Sequence, residues 1–283
     1  MMNAARLKGK VKNKCGGDSK SAESIMRLYF MERLLERISS SDYKEKFILK
    51  GGLLASSLIG VDLRTTMDID TSVRAIQLNE NEIKTLVKGI CEIEVDDQVT
   101  FEIISSEIIM DEFDYPGVRL HLMGHLDNIR QAVKIDVSTD DVITPSAIEY
   151  EYKLLFEERT IKLLTYNPET LLAEKLQTII QRGRANTRLR DYYDVHELSL
   201  KVDYSNDTLS DAFAATCNKR NTIFTSDYID MIINDIENDE GLLILWDRYK
   251  TKNKYVGNTE WKDVIKSLKD VCNTIEVNGD GSN

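Results

Sequence analysis

Two aspartates separated by one residue, Asp68 and Asp70, are the side chains of this sequence that are best spaced for chemistry. If the segment is a strand, alternation puts both carboxylates on one face and Ile69 in the core. Two like charges held that close need a counter-charge, and a divalent cation, which prefers oxygen ligands, supplies it. The spacing therefore predicts a metal site at Asp68 and Asp70.

A glycine pair precedes the two aspartates. Gly51 and Gly52 follow the apolar run Phe47-Ile48-Leu49, which predicts a short buried strand, and they lead into a helix-compatible segment. Backbone N–H groups at such a strand-to-helix turn suit a phosphate. Taken singly, the glycines fit a plain turn and the aspartates a solvated edge strand. Together they indicate metal-assisted chemistry on a nucleoside triphosphate.

A third acid lies on a later predicted strand. Asp136 stands among apolar neighbours in the alternating segment Val133–Val137. A glycine turn, an acid-x-acid pair and a later strand acid, in that order, resemble the nucleotidyltransferase superfamily. The resemblance implies that Asp136 completes a second metal site or acts as a base.

Two further motifs occupy the second half of the chain. Asn167-Pro168-Glu169 is typical of a helix start, and Gly183 is a plausible stop for that helix. Lys175 and Arg182 are seven residues apart, so they share one face of it. The segment Arg188–Asp194 then opens another helix.

These blocks, with Ala173-Glu174-Lys175 and Arg64-x-Thr66-x-Asp68, are similar to the AbiEii-type nucleotidyltransferases. Members of this family are the toxins of type IV toxin–antitoxin and phage abortive-infection systems. The resemblance implies Mg²⁺-dependent transfer, with one or two ions, from GTP or a pyrimidine triphosphate to an RNA acceptor such as the tRNA 3′ end. It also implies a cognate antitoxin that restrains the enzyme. A small-molecule nucleotidyltransferase of the antibiotic-modifying type and a non-catalytic nucleotide-binding interaction protein remain alternatives.

The resemblance also assigns roles to individual residues. It implies catalytic roles for Asp68, Asp70, Asp136 and Asp191, metal binding by the first three, and nucleotide binding by Gly51, Gly52, Arg64, Thr66, Lys175 and Arg182. Arg64 and Thr66 either brace the acid strand or contact the nucleotide. Asp191 either acts as a base or nucleotide-orienting group, or caps its helix, where the helix dipole favours an acid.

Charge is segregated along the chain, whose net charge is −11. Basic residues concentrate in residues 1–20, between Arg182 and Arg190, and in residues 248–254. Such clusters permit a local phosphate-binding surface on an acidic protein. For the first cluster the alternative is a disordered, solvated tail, and for the cluster at residues 248–254 it is a solvated helix face.

Composition is that of a globular protein. Of 283 residues 42% are hydrophobic, which is enough for a core, and no run approaches the ~20 apolar residues that span a membrane. The four cysteines are far apart, so we expect a reduced, cytoplasmic protein without membrane contact.

The predicted architecture is an α/β nucleotidyltransferase core, a mixed sheet with flanking helices, followed by an α-helical C-terminal domain. We expect a basic unstructured tail over residues 1–19, the α/β domain over 20–166 and the helical domain over 167–283. Strands are predicted near 47–50, 67–73, 99–105, 118–126 and 131–138 and twice within 148–166, with a helix over 79–91.

Overall fold

The computed structural model describes residues 2–16, 18–60, 64, 66–76, 79–110, 116–139 and 141–276. The chain divides into two compact units, each of which has its own core. The first unit comprises Met1–Asp141 and Ile148–Thr165, and the second comprises Val142–Ala147 and Tyr166–Asn283.

A mixed sheet organises the first unit. Its strands are β1 (Phe47–Lys50), β2 (Ile69–Val73), β3 (Thr100–Met110), β4 (Pro116–Leu126), β5 (Ile129–Thr139), β6 (Ile148–Lys153) and β7 (Thr160–Thr165). Their order in the sheet is β3-β4-β5-β2-β1-β7-β6. Strand β2 runs parallel to β5 and β1 runs parallel to β7, whereas the other pairs are antiparallel.

The helices of this unit are α1 (Ala4–Cys15), α2 (Ser19–Ser40), α3 (Gly51–Ile59) and α4 (Glu80–Cys91). Helix α2 packs against β5 and β7, and α4 packs against β3 and β4. Gly124 of β4 lets α2 approach closely, because a Cβ there would lie 2.4 Å from the ring of Phe30. The buried side chains of β4 and β5 share this face, so Arg119 and Asp136, at the alternate positions, lie on the opposite face.

The N-terminal segment departs from the sequence prediction. Residues 1–19 were expected to be an unstructured tail, and this was wrong for Ala4–Cys15, which form α1. Ala4, Leu7 and Val11 recur at helical spacing and are buried, while Asn3 caps the first turn through its side chain. Burial of Leu7 and Val11 stabilises the helix by about 1.5–3 kcal/mol each.

The second unit is helical over its described residues. Its helices are α5 (Pro168–Arg182), α6 (Leu189–Lys201), α7 (Asn206–Lys219), α8 (Ser226–Glu237), α9 (Glu240–Lys252) and α10 (Trp261–Cys272), with short 3₁₀ turns at Gly183–Ala185 and Lys254–Val256. Asn167 caps α5 by accepting the Thr170 N–H at 2.8 Å, as predicted. Trp246 and Trp261 pack in the core with ring centroids 5.7 Å apart.

The predicted fold class is confirmed, since a mixed sheet with flanking helices precedes helices α5 to α10. The predicted strands are all present, with β3 several residues longer than expected. Within the described residues, no helix is both long and apolar enough to cross a membrane.

Candidate active site

Three predicted acids lie together on one face of the sheet. Strand β2 begins at the fully buried Ile69, so Asp68 directly precedes the strand and Asp70 is its second residue. The parallel register of β2 and β5 places Asp70 beside Asp136. Lys134, two residues before Asp136, has its Nζ 3.6 Å from Asp68 Oδ1. The structure therefore gathers Asp68, Asp70 and Asp136 as the sequence predicted.

Asp70 has a perturbed carboxyl group. Burial, followed by the negative charge of Asp136, raises its pKa from 3.8 to about 6. Lys50, its neighbour across β1 and β2, acts in the opposite direction. Asp70 is thus ionised at neutral pH at an electrostatic cost that a bound cation would remove.

The glycine turn is shaped around Asp70. Gly51 has a φ of +64°, and a Cβ at this position would lie 2.2 Å from Asp70 Oδ2. The Gly52 N–H donates to the same oxygen at 3.4 Å. The N-terminus of α3 therefore faces a carboxylate in this structure. Phosphate binding by the two glycines stays a prediction.

Arg64 and Thr66 brace the glycine turn and the acid segment. Arg64 is almost fully buried, and its Nη1 donates to the Gly52 carbonyl at 2.5 Å. Thr66 Oγ1 donates to the Asp68 carbonyl at 3.3 Å. Of the two roles that the sequence left open, bracing is the one these contacts describe, while nucleotide contact stays a prediction.

Arg119 belongs to the site and was missed by sequence reasoning. It lies opposite Asp136 in the antiparallel register of β4 and β5. Its Nε donates to Asp136 Oδ1 at 2.8 Å and its Nη2 to Oδ2 at 2.7 Å, which is a bidentate pair. The only sequence signal was an arginine at an outward position of an alternating strand, and strand register is not readable from one sequence.

Lys50 and Asp141 form a second ion pair beside Asp70. Lys50 Nζ lies 2.6 Å from Asp141 Oδ2, which also accepts the Ser138 hydroxyl at 2.8 Å. Burial opposes ionisation of Asp141, but Lys50 and the hydroxyl outweigh it and hold the pKa of this carboxyl below its ordinary value. The pair thereby fixes a positive charge next to the acids.

The acid group fits a divalent cation. Asp68 Oδ1 is buried and accepts no hydrogen bond from the part of the chain that the structure describes. Carboxylate oxygens are the ligands that Mg²⁺ prefers. Among the described residues, no three His, Cys, Asp or Glu side chains converge as a ready-made metal site, and Asp136 is turned towards Arg119. Asp68 and Asp70 are thus the residues best disposed to hold the ion.

In the second unit, Lys175 lies between two aspartates. Its Nζ is 2.9 Å from Asp191 Oδ1 and 2.6 Å from Asp194 Oδ2, and both Lys175 and Asp194 are buried. Asp191 lies in the first turn of α6, where the helix dipole favours an acid, so its pairing with Lys175 and a helix-stabilising role are both compatible with its position. The sequence motif contained Asp194 but did not identify it as a partner of Lys175. Arg182, half-buried, ends α5.

Comparison with known proteins identifies the family. A family model described as "Nucleotidyl transferase AbiEii toxin, Type IV TA system" matches residues 33–267. The chain therefore belongs to the AbiEii nucleotidyltransferase toxin family. No curated protein matches the chain.

The chain also aligns with solved structures from Helicobacter pylori and Paracoccidioides brasiliensis. JHP933 from Helicobacter pylori aligns with a TM-score of 0.47 and 14% identity, over 91% of this chain and 94% of that one. An antigenic nucleotidyltransferase-like protein from Paracoccidioides brasiliensis aligns with a TM-score of 0.43 and 14% identity, over 86% of this chain and 92% of that one.

Proposed function

We propose that this protein transfers a nucleotide from a nucleoside triphosphate to the 3′ end of an RNA, with tRNA as the acceptor. The observation that carries the proposal is the group of three carboxylates, Asp68 directly before β2, Asp70 on β2 and Asp136 on β5, with Gly51 shaped against Asp70. Membership of a nucleotidyltransferase toxin family supports it. The donor is GTP or a pyrimidine triphosphate, and a cognate antitoxin restrains the enzyme.

In this proposal Asp68 and Asp70 would hold Mg²⁺, and Asp136 would complete a second metal site or take the proton of the acceptor hydroxyl. When bound, Mg²⁺ would neutralise triphosphate charge and polarise the phosphate that reacts. The acceptor hydroxyl oxygen bonds to the α-phosphorus, pyrophosphate leaves, and the hydroxyl proton passes to a base. Arg119, which fixes Asp136, and Lys50, which balances the charge of Asp70, position the acids.

Lys175 and Arg182 are the other proposed nucleotide-binding residues. Lys175 would contribute a compact charge to the triphosphate and Arg182 a planar fork. Asp191 holds Lys175 at 2.9 Å and would orient this lysine. Arg184 and Arg188 are exposed, and we assign them to RNA phosphates.

The test incubates the protein with each labelled triphosphate, Mg²⁺ and total cellular RNA, and sizes the products on a gel. The proposal expects label on RNA of tRNA length, and none with Asp70→Asn, which keeps the shape of the side chain and removes its charge. Label that appears only on a small metabolite would overturn the RNA acceptor and favour the small-molecule alternative. The absence of any transfer would overturn the enzymatic assignment.

A second variant tests the RNA contact by itself. Reversing the charge of Arg184 and Arg188 should weaken transfer to RNA and leave triphosphate binding unchanged. Activity should also fall steeply with salt, by a log–log slope of about −0.7 per phosphate contact of a single strand. Salt-independent activity would contradict an RNA acceptor held through its phosphates.

A further inference from the structure

Helix α1 carries five cations and no carboxylate. Arg6, Lys8, Lys10, Lys12 and Lys14 are all exposed along it, on a chain of net charge −11. Like charges at positions i and i+4 destabilise a helix by a few tenths of a kcal/mol per pair, and Lys8 and Lys12 form such a pair. Gly9 in its interior costs about 1 kcal/mol more relative to alanine. A helix that keeps five cations and no carboxylate of its own at this cost is typical of a polyanion-binding surface.

Contacts with the rest of the first unit hold α1 in place. Leu7 and Val11 are buried beneath it. The Ala4 N–H donates to Asp127 Oδ2 at 2.8 Å, and Lys10 Nζ donates to the Phe156 carbonyl at 3.0 Å. Exposed Lys8 and Lys12 therefore lie on a folded, anchored helix, and a partner need not bear the entropic cost of ordering a tail.

The outer side of α1 points to one kind of partner. By the helical period, Ala5, Gly9 and Asn13 form the ridge opposite the buried side, and Arg6 and Lys12 flank it. A Cβ on Gly9 would meet nothing within 4 Å, so this ridge is low and open. The ridge has no large apolar side chain to anchor a protein interface or to insert into a membrane. Binding a phosphodiester backbone needs neither an apolar anchor nor an inserted apolar side chain.

We propose that α1 binds the phosphodiester backbone of the RNA acceptor, at a distance from the end that reacts. This inference rests on the proposed function and names a surface that recognises the RNA substrate. Asp127, which anchors α1, precedes β5, and Asp136 lies nine residues further along the chain. At ~3.3 Å per strand residue these nine residues extend over at most about 30 Å, so the N-terminus of α1 lies beyond the opposite end of β5 from Asp136. In this proposal the helix contacts the body of a structured RNA, and an RNA of a few nucleotides that occupies the acid site does not reach it.

The test compares two pairs of lysines with the same spacing in the same unit. The first double variant, Lys8→Gln with Lys12→Gln, alters α1. The control double variant, Lys84→Gln with Lys88→Gln, alters exposed positions of α4, a helix that also carries Glu80 and Glu82. Filter binding measures the Kd for full-length tRNA as a function of salt concentration. A second assay with labelled triphosphate measures nucleotide transfer to full-length tRNA and to a short single-stranded RNA with the same 3′ end. Thermal unfolding verifies that all variants are folded.

We expect the α1 pair to weaken tRNA binding several-fold at about 0.1 M salt. It should also reduce the magnitude of the log–log salt slope by about 1.8, for two duplex phosphate contacts. KM for tRNA should rise with kcat unchanged, and transfer to the short RNA should be unaffected. The α4 pair should behave as wild type in every assay.

Equal effects of the two pairs, or no effect of the α1 pair on tRNA binding, would overturn the inference. Unchanged tRNA binding with weakened binding of the co-expressed antitoxin would overturn it too and would assign α1 to an acidic protein. Binding of tRNA through α1 without any nucleotide transfer would instead overturn the proposed function and leave the α1 surface standing.

Discussion

Replacing Asp70 by asparagine should stabilise the metal-free protein at neutral pH. Burial and the charge of Asp136 raise the pKa of Asp70 from 3.8 to about 6, so the folded state binds a proton that the unfolded state has already released. The contribution of Asp70 to the stability of the wild type therefore falls as the pH rises from about 4 to 6. A difference of about 2 pKa units corresponds to about 3 kcal/mol above pH 6. An asparagine side chain at this position does not ionise, and its carbonyl oxygen still accepts the Gly52 N–H.

Urea unfolding of both proteins in EDTA, from pH 4 to pH 8, measures this difference. The two free energies of unfolding should nearly coincide at pH 4 and diverge to about 3 kcal/mol by pH 7, in favour of Asp70→Asn. Asp141→Asn is the control of opposite sign, because the pKa of Asp141 is lowered and its ionised form stabilises the fold at neutral pH. A wild type that gains stability over Asp70→Asn between pH 4 and 7 would refute the reasoning.

Three further substitutions test the site. Gly51→Ala should lower the urea midpoint far more than Gly60→Ala, since both residues have positive φ but only at Gly51 does a Cβ meet a neighbouring carboxylate. Arg119→Gln should cost about 1 kcal/mol of stability, and it should tighten Mn²⁺ binding in a calorimetric titration because it frees the carboxylate of Asp136. Its control, Arg130→Gln at an exposed position, should change neither stability nor Mn²⁺ binding. Lys175→Ala should cost about 3–5 kcal/mol of stability and abolish tight triphosphate binding.

The Lys175 variant needs a control for each of its two effects. Lys162 is an exposed strand lysine paired with Glu149, and Lys162→Ala should leave both stability and triphosphate affinity unchanged. Much of the stability loss in Lys175→Ala comes from leaving the buried carboxylate of Asp194 without its cation. Adding Asp194→Ala should therefore restore folding but not triphosphate binding. Recovery of triphosphate affinity in the double variant would make Lys175 a structural residue.

The acid group was predictable because its geometry is local. Alternation fixes the face of Asp70 relative to Ile69, and Asp136 stands in an equally regular strand, so only the pairing of two strands had to be supplied. Arg119 and Asp194 were not predictable, because their geometry is not local. Their roles depend on strand register and helix packing between segments distant in sequence, which leave no periodic signal.

The error at the N-terminus has a different cause. Lysines at alternate positions from Lys8 to Lys14 and a low apolar content are typical of a solvated tail. The helical signal consists of Ala4, Leu7 and Val11 alone, and the stability of α1 comes from burial against the rest of the unit. Tertiary contacts decide the structure of such a segment, and a single sequence does not contain them in readable form.

The glycine turn shows how one sequence motif can hold two functions. Gly51 lacks a side chain where a Cβ would lie 2.2 Å from Asp70 Oδ2, and the Gly52 N–H donates to that oxygen. The glycines therefore first admit a carboxylate to the N-terminus of α3, where the helix dipole stabilises its charge. Any phosphate bound at this turn adds negative charge beside Asp70. A cation held by the same carboxylate would balance both charges, so phosphate and metal binding should strengthen each other at this site.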